Sequence, residues 1–201
     1  EVFMRFWHEV SSSNAERNGR ADNLAKRWYP CASGGAFRKW YGNQDLVVDY
    51  QDGGRRIERY AKKNGNSFGF NGSKHYFRKS ITWPKLTSGA NSFRSTPIGS
   101  IFDGVGLSAF FDNDSDYNQG LACANSKPTA ALLPLIAPTL SLTSGDFLKL
   151  PFLSSSAAVE DNAEELVGAH KSDWDAYETS WDFATLPLLS PDHRGETLEG
   201  T

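Results

Sequence analysis

Long apolar runs are missing from this 201-residue chain. No stretch of about 18 apolar residues occurs, which excludes a helical membrane span. The first residues, EVFMRFWHEV, carry charges where a signal peptide needs an unbroken apolar segment. A cytoplasmic location without a membrane partner is therefore expected. Cysteine is scarce as well: Cys31 and Cys123 stand far apart without C-x-x-C spacing. A disulfide framework or a zinc site therefore has no support, and two buried thiols are the expectation. The chain begins at Glu1 and not at Met, so a piece of a longer protein is expected.

Catalytic signatures are equally sparse. His8, His75, His170 and His193 form no H-E-x-x-H pair, and there is no P-loop. Gly104-Val-Gly106 lacks the third glycine of a dinucleotide fingerprint. Residues 65–69, GNSFG, match G-x-S-x-G, but a nucleophile elbow needs a buried strand before Ser67 and a helix after it. Here a charged segment precedes and Asn71-Gly72 follows, so a glycine loop is expected. Residues 112–116, DNDSD, imitate the start of a calcium loop, yet Tyr117 replaces the required glycine and Cys123 the closing glutamate. No metal site is expected.

Charge is what the chain has. The net charge of −3 hides 17 Lys and Arg against 8 Asp and Glu in residues 1–100, and 4 against 16 in residues 101–201. Residues 26–94 alone hold 14 basic and 4 acidic side chains, a density suited to phosphate. The alternatives are a solvated basic face, or neutralisation of one half by the other.

Periodicity supplies the elements. DLVVDY (residues 45–50) reads as a strand closed by Asp52-Gly53-Gly54, and RRIERYAKK (residues 55–63) as a short surface helix. Residues 92–95 and 99–103 read as further strands. GLACANSKPTAALLPLIAP (residues 120–138) reads as two helical pieces, the second starting near Pro128. Residues 143–150 suit a capped turn, and residues 157–170 an amphipathic helix. The last dozen residues are expected to be poorly ordered.

Cations interleave with aromatics in RKWY (residues 38–41) and YFRKSITWPKLTSG (residues 76–89). Read as a strand, the second stretch sends Phe77, Ile81 and Trp83 to one side and Tyr76, Arg78, Ser80 and Thr82 to the other. The polar side is all hydrogen-bonding, and arginine can pair bidentately with guanine while lysine mainly holds phosphate.

Six ordered blocks then carry a resemblance: RWYPCASGGAFRKWYGNQDLVVDY, HYFRKSITWPKLTSG, FRSTPIGSIFDGVG, NSKPTAALLPLIAPT, GDFLKLPF and DWDAYETSWDF. Together they resemble the C-terminal region of the PglX (BrxX) adenine methyltransferase family of BREX phage defence. The resemblance implies an α+β fold: a twisted, mostly antiparallel recognition sheet with helices, similar to target-recognition domains of type I specificity subunits, plus a C-terminal helical extension. Residues 1–153 would form the recognition domain, and residues 154–201 a linker and helical segment. Gly145, Asp146, Leu150 and Pro151 match the block that closes the domain, while Pro128 departs from the usual continuous helix.

The N/D-P-P-Y/F/W methyltransferase motif is absent, so S-adenosylmethionine would belong to a separate catalytic domain and this piece would be inactive alone. The implied partners are double-stranded DNA, that catalytic domain, and other BREX components or DNA-mimicking phage inhibitors. The expected DNA-binding residues are Arg38, Lys39, Lys62, Lys63, Lys74, Tyr76, Arg78, Lys79, Ser80, Thr82, Lys85, Ser88 and Arg94. The alternative is a protein-interaction module, with Trp174, Tyr177, Trp181 and Phe183 in the acidic half docking another subunit.

Overall fold

A computed structural model describes residues 2–17, 24–66, 70, 72–152 and 156–189. Ser67 and the last dozen residues, which carried two of the expectations above, lie outside the described residues.

Two sheets and a helical layer make an α+β fold, as expected, but the strands form two sheets and not one. The first sheet contains β1 (Met4–Phe6), β2 (Trp28–Ala32), β3 (Leu46–Asp49) and β6 (Ile101–Phe102), in the order β1-β3-β2-β6. Its pairs are antiparallel except β2 with β6. Proline argues against a central strand because it cannot donate to the ladder. Pro30 is tolerated in β2 because β6 pairs only with Cys31 and Ala32, leaving Pro30 a single neighbour in Val47.

The second sheet is antiparallel: β5 (Arg94–Thr96), β4 (Ser80–Pro84), β7 (Gly106–Ala109). The β6–β7 turn joins the two sheets. Asp103 Oδ1 accepts from the N–H groups of Val105 and Gly106 at 2.8 and 2.6 Å, and its Oδ2 accepts from Ser33 Oγ at 2.7 Å. Gly106 is required there, because a Cβ would come within 2.6 Å of the Ala32 carbonyl oxygen.

The main core lies between the second sheet and helices α2 (Asp114–Asn125), α3 (Lys127–Ile136) and α4 (Ser144–Phe147). Tyr117, Leu121 and Ala124 recur at helical spacing on α2 and meet Ile81 and Trp83 of β4. Trp83 stacks on Phe147 at 4.4 Å and donates its indole N–H to the Leu142 carbonyl at 3.0 Å. The chain breaks between α2 and α3 at Ser126, whose hydroxyl caps α3 by accepting from Thr129 N–H, with Pro128 in the first turn. Thr143 and Asp146 form a capping box on α4.

Helix α5 (Ala157–Asp175) packs along α2. Ser115 and Gln119 donate to Glu160, and Asn118 donates to Glu164 at 2.6 Å. The acids at the start of α5 thus tie it to α2. Helix α1 (Gln51–Lys63) covers the first sheet. Its opening residues Asp52, Gly53 and Gly54 have left-handed backbone, so regular helix occupies the RRIERYAKK segment.

Candidate nucleic-acid interface

The polar side of β4 keeps the expected phase but not the expected exposure. Ile81 and Trp83 face the helical core, while Thr82 is on the opposite side with Thr96 and Ser108; Thr82 shares hydrogen bonds with their hydroxyls at 2.6 and 3.4 Å. Ser80, Thr82 and Arg94 are 3%, 1% and 2% exposed. Arg94 Nη2 donates to the carbonyls of Gly34 and Ser33 at 2.9 and 3.3 Å. The expected placement of these three residues on a DNA-facing surface is therefore corrected. The loop after β2 covers Arg94 and accepts from its Nη2, while Thr82 is satisfied within the sheet. Burial without a contacting carboxylate lowers the Arg94 pKa to about 10, still a cation at neutral pH.

The strand also begins later than the alternation suggests. Phe77 has a φ of 67°, so residues before Ser80 form a turn, and Phe77 packs against Tyr29 and Tyr50. Tyr76 is half-buried among Tyr50, Phe70 and Phe102, and its hydroxyl pKa is pushed up to about 12, mainly by burial.

Four further expected contacts reach the surface but are held by the chain itself. Arg38 lies over Trp174 at 5.0 Å and bonds Asp173 at 3.1 Å. Lys39 donates to the Asn125 carbonyl at 2.9 Å. Arg78 donates to the Phe111 carbonyl at 3.0 Å, reaches Asp112 at 3.7 Å and lies over Phe110. Lys79 pairs with Asp114 at 2.8 Å, which lowers the Asp114 pKa, and sits 4.1 Å above the Tyr117 ring. Together with Arg17–Asp182, these pairs show the acidic half neutralising part of the basic half.

Lys62, Lys63, Lys74, Lys85 and Ser88 remain exposed, and among the described residues none of the four lysines has an ion pair within 4.0 Å. Two of them belong to a larger group that sequence reasoning missed. At about 100° per residue, Arg55, Arg59, Lys62 and Lys63 fall within roughly 100° of one helix face. Ile57 and Ala61 lie on the opposite face and are packed or buried beneath α1. Arg55 and Arg59 are exposed and likewise lack an ion pair among the described residues. Arg56, on the flank, turns inward with Arg27 to the buried carboxylate of Asp49. The i, i+4, i+7 spacing of Arg55, Arg59 and Lys62 was the available signal.

The aromatic residues of the acidic half are spent largely within the chain. Trp174 is buried under Arg38, and Trp181 packs on Trp7 at 5.9 Å, whose indole N–H donates to the Thr179 carbonyl. Tyr177 stays exposed.

No protein-family model matches the chain. It is 37% identical over 207 aligned positions to the adenine-specific methyltransferase PglX of Lacticaseibacillus casei (strain Zhang), covering 98% of this chain and 17% of that protein. It is 33% identical to the adenine-specific methyltransferase BrxX of Escherichia coli O9:H4 (strain HS), covering 97% of this chain and 15% of that protein. The chain is homologous to one segment of these adenine-specific methyltransferases. It spans about a sixth of the length of the curated relatives it matches. In this PglX/BrxX-like segment, no group of three His, Cys, Asp or Glu could hold a metal ion among the described residues. No helix among the described residues is long and apolar enough to cross a membrane.

Proposed function

We propose that this chain is a DNA-binding segment of a phage-defence adenine methyltransferase, holding duplex DNA for a methyltransferase domain located elsewhere in the parent. The observation that carries the reading is the α1 face: Arg55, Arg59, Lys62 and Lys63 stand side by side, exposed and without ion pairs among the described residues. Glu58, at the edge of that face, makes no ion pair within 4.0 Å among the described residues, whereas Arg38, Arg78 and Lys79 are already occupied. Cations released from internal pairing are the ones able to displace counterions from phosphate.

Adenine methylation requires the base to leave the stack, so a neighbouring segment that grips the backbone would keep the duplex in register. Helix α1 supplies that grip, with Lys74 and Lys85 as further phosphate contacts. Sequence readout then falls to exposed groups that the chain does not already engage, such as Ser88, since Ser80, Thr82 and Arg94 are buried. We propose further that the segment serves target recognition in the parent, that S-adenosylmethionine is bound by the parent's separate catalytic domain, and that other BREX components are partners.

The test is fluorescence anisotropy of a labelled duplex of about 30 base pairs, titrated with the chain and with the variant Arg55→Gln/Arg59→Gln/Lys62→Gln/Lys63→Gln. The variant should bind at least tenfold more weakly at low salt. Equal affinity would remove α1 from the interface.

A further inference from the structure

A cavity of about 660 Å³ opens between α1, the first sheet and the β6–β7 junction. It falls within the range of small-molecule sites. Tyr50, Tyr76 and Phe102 belong to its aromatic wall, and Ile57, Ile101 and Leu107 are among its aliphatic lining. The rings meet edge to face: Tyr50 with Tyr76 at 5.5 Å and 79°, Tyr76 with Phe102 at 5.0 Å and 83°. Such a mosaic offers both faces and edges to a flat ring.

The polar groups narrow the choice of ligand. Asp103 is the one carboxylate in the lining among the described residues, and both its oxygens already accept, from Ser33 Oγ and from the N–H groups of Val105 and Gly106. Among the described residues no lysine or arginine lines the cavity, and burial holds the Cys31 thiol neutral. Ser108 and Ser144 add neutral hydroxyls, so the described lining offers no free charge to the ammonium group of S-adenosylmethionine or to a phosphate. By contrast, the hydroxyls of Tyr50 and Tyr76 have no hydrogen-bond partner among the described residues. They are two phenolic donors set in an apolar wall.

We infer that this cavity binds a neutral, planar heteroaromatic molecule of purine size, which stacks on the tyrosine and phenylalanine rings and accepts from the two phenols. The inference does not depend on DNA binding by α1, whose cations face away from the Ile57 side that borders the cavity.

Adenosine is the probe, with AMP as its charged counterpart, followed by NMR titration of the chain. Adenosine should saturate with shifts confined to Tyr50, Tyr76, Phe102 and their neighbours, and AMP should bind at least tenfold more weakly. Ile57→Trp, which fills the space, should abolish adenosine binding. Tyr76→Phe, which keeps the shape and removes one donor, should weaken it about three- to tenfold and covers the case of an Ile57→Trp chain that does not fold. Absence of saturation, equal binding of AMP, or undiminished binding by either folded variant would overturn the site.

Discussion

Helix α1 and the β4–β5 pair both draw their polar side chains from the basic half of the chain, yet they present them in opposite directions. On α1, Arg55, Arg59, Lys62 and Lys63 stand in solvent above an apolar underside of Ile57 and Ala61. On the strands, Arg94, Thr82 and Thr96 are buried: Arg94 Nη2 donates to the Ser33 and Gly34 carbonyls, Thr82 bonds Thr96, and Arg94 Nη1 has no hydrogen-bond partner among the described residues. Local charge density is the same kind of signal in both places. What separates them is the second layer, a loop from a distant part of the chain that covers one region and not the other.

The largest effect that sharpens this comparison is on stability. Arg94→Ala removes the donor to one buried and one part-buried carbonyl and leaves a space behind, so unfolding by urea should show a loss of about 2–4 kcal/mol. If Arg94 were a DNA contact standing in solvent, the loss would be close to zero.

Next comes the effect on DNA affinity. Neutralising the α1 face should weaken binding at least tenfold with an unchanged melting temperature, whereas Arg78→Gln/Lys79→Gln should weaken it about threefold or less. The reason is that Arg78 and Lys79 must first leave Asp112 and Asp114. A reversed order would place the interface at the turn before β4.

A smaller effect is expected at Arg38. Removing its ion pair to Asp173 and its stacking on Trp174 should cost about 1 kcal/mol in a thermal or urea melt. Lys62→Ala, which breaks no such pair, should be within about 0.5 kcal/mol of the parent.

The smallest concerns pH. Hydrogen bonds from Lys149 and Thr143 hold the Asp146 carboxyl at about 2, below its ordinary 3.8. A depressed pKa stabilises the folded state above the unfolded value and loses that contribution as pH falls through the folded value. The α4 capping box should therefore stay intact at pH 4 and be lost toward pH 2, read from the Asp146 carboxyl resonance. A midpoint near 4 would mean that the box does not form.

Much of the element pattern was legible. The helix on RRIERYAKK, the two helices parted before Pro128, the capped turn at Thr143 and the long helix from Ala157 all follow from period and capping chemistry. The strand β2 was hidden because Pro30 reads as a breaker, and only its one-sided pairing makes it acceptable. The alternation of β4 was readable from Ser80 onward, but Phe77 was assigned to a strand because its left-handed backbone leaves no mark on hydrophobic period. The candidate interface was legible only in part. Lys62 and Lys63 were found as cations, while Arg55 and Arg59 were missed, although helical spacing unites all four. The burial of Ser80, Thr82 and Arg94 had no local signature, since the loop over them is about 60 residues away from Arg94 in the chain.

The most direct test of the central claim is the salt dependence of duplex binding, measured for the parent chain and for the α1 variant. The logarithm of the affinity should fall linearly with the logarithm of salt concentration, and the variant's slope should be shallower by about 0.9 for each phosphate that the four side chains no longer neutralise. Identical slopes for the two proteins, or a parent whose binding ignores salt, would contradict an interface built on α1.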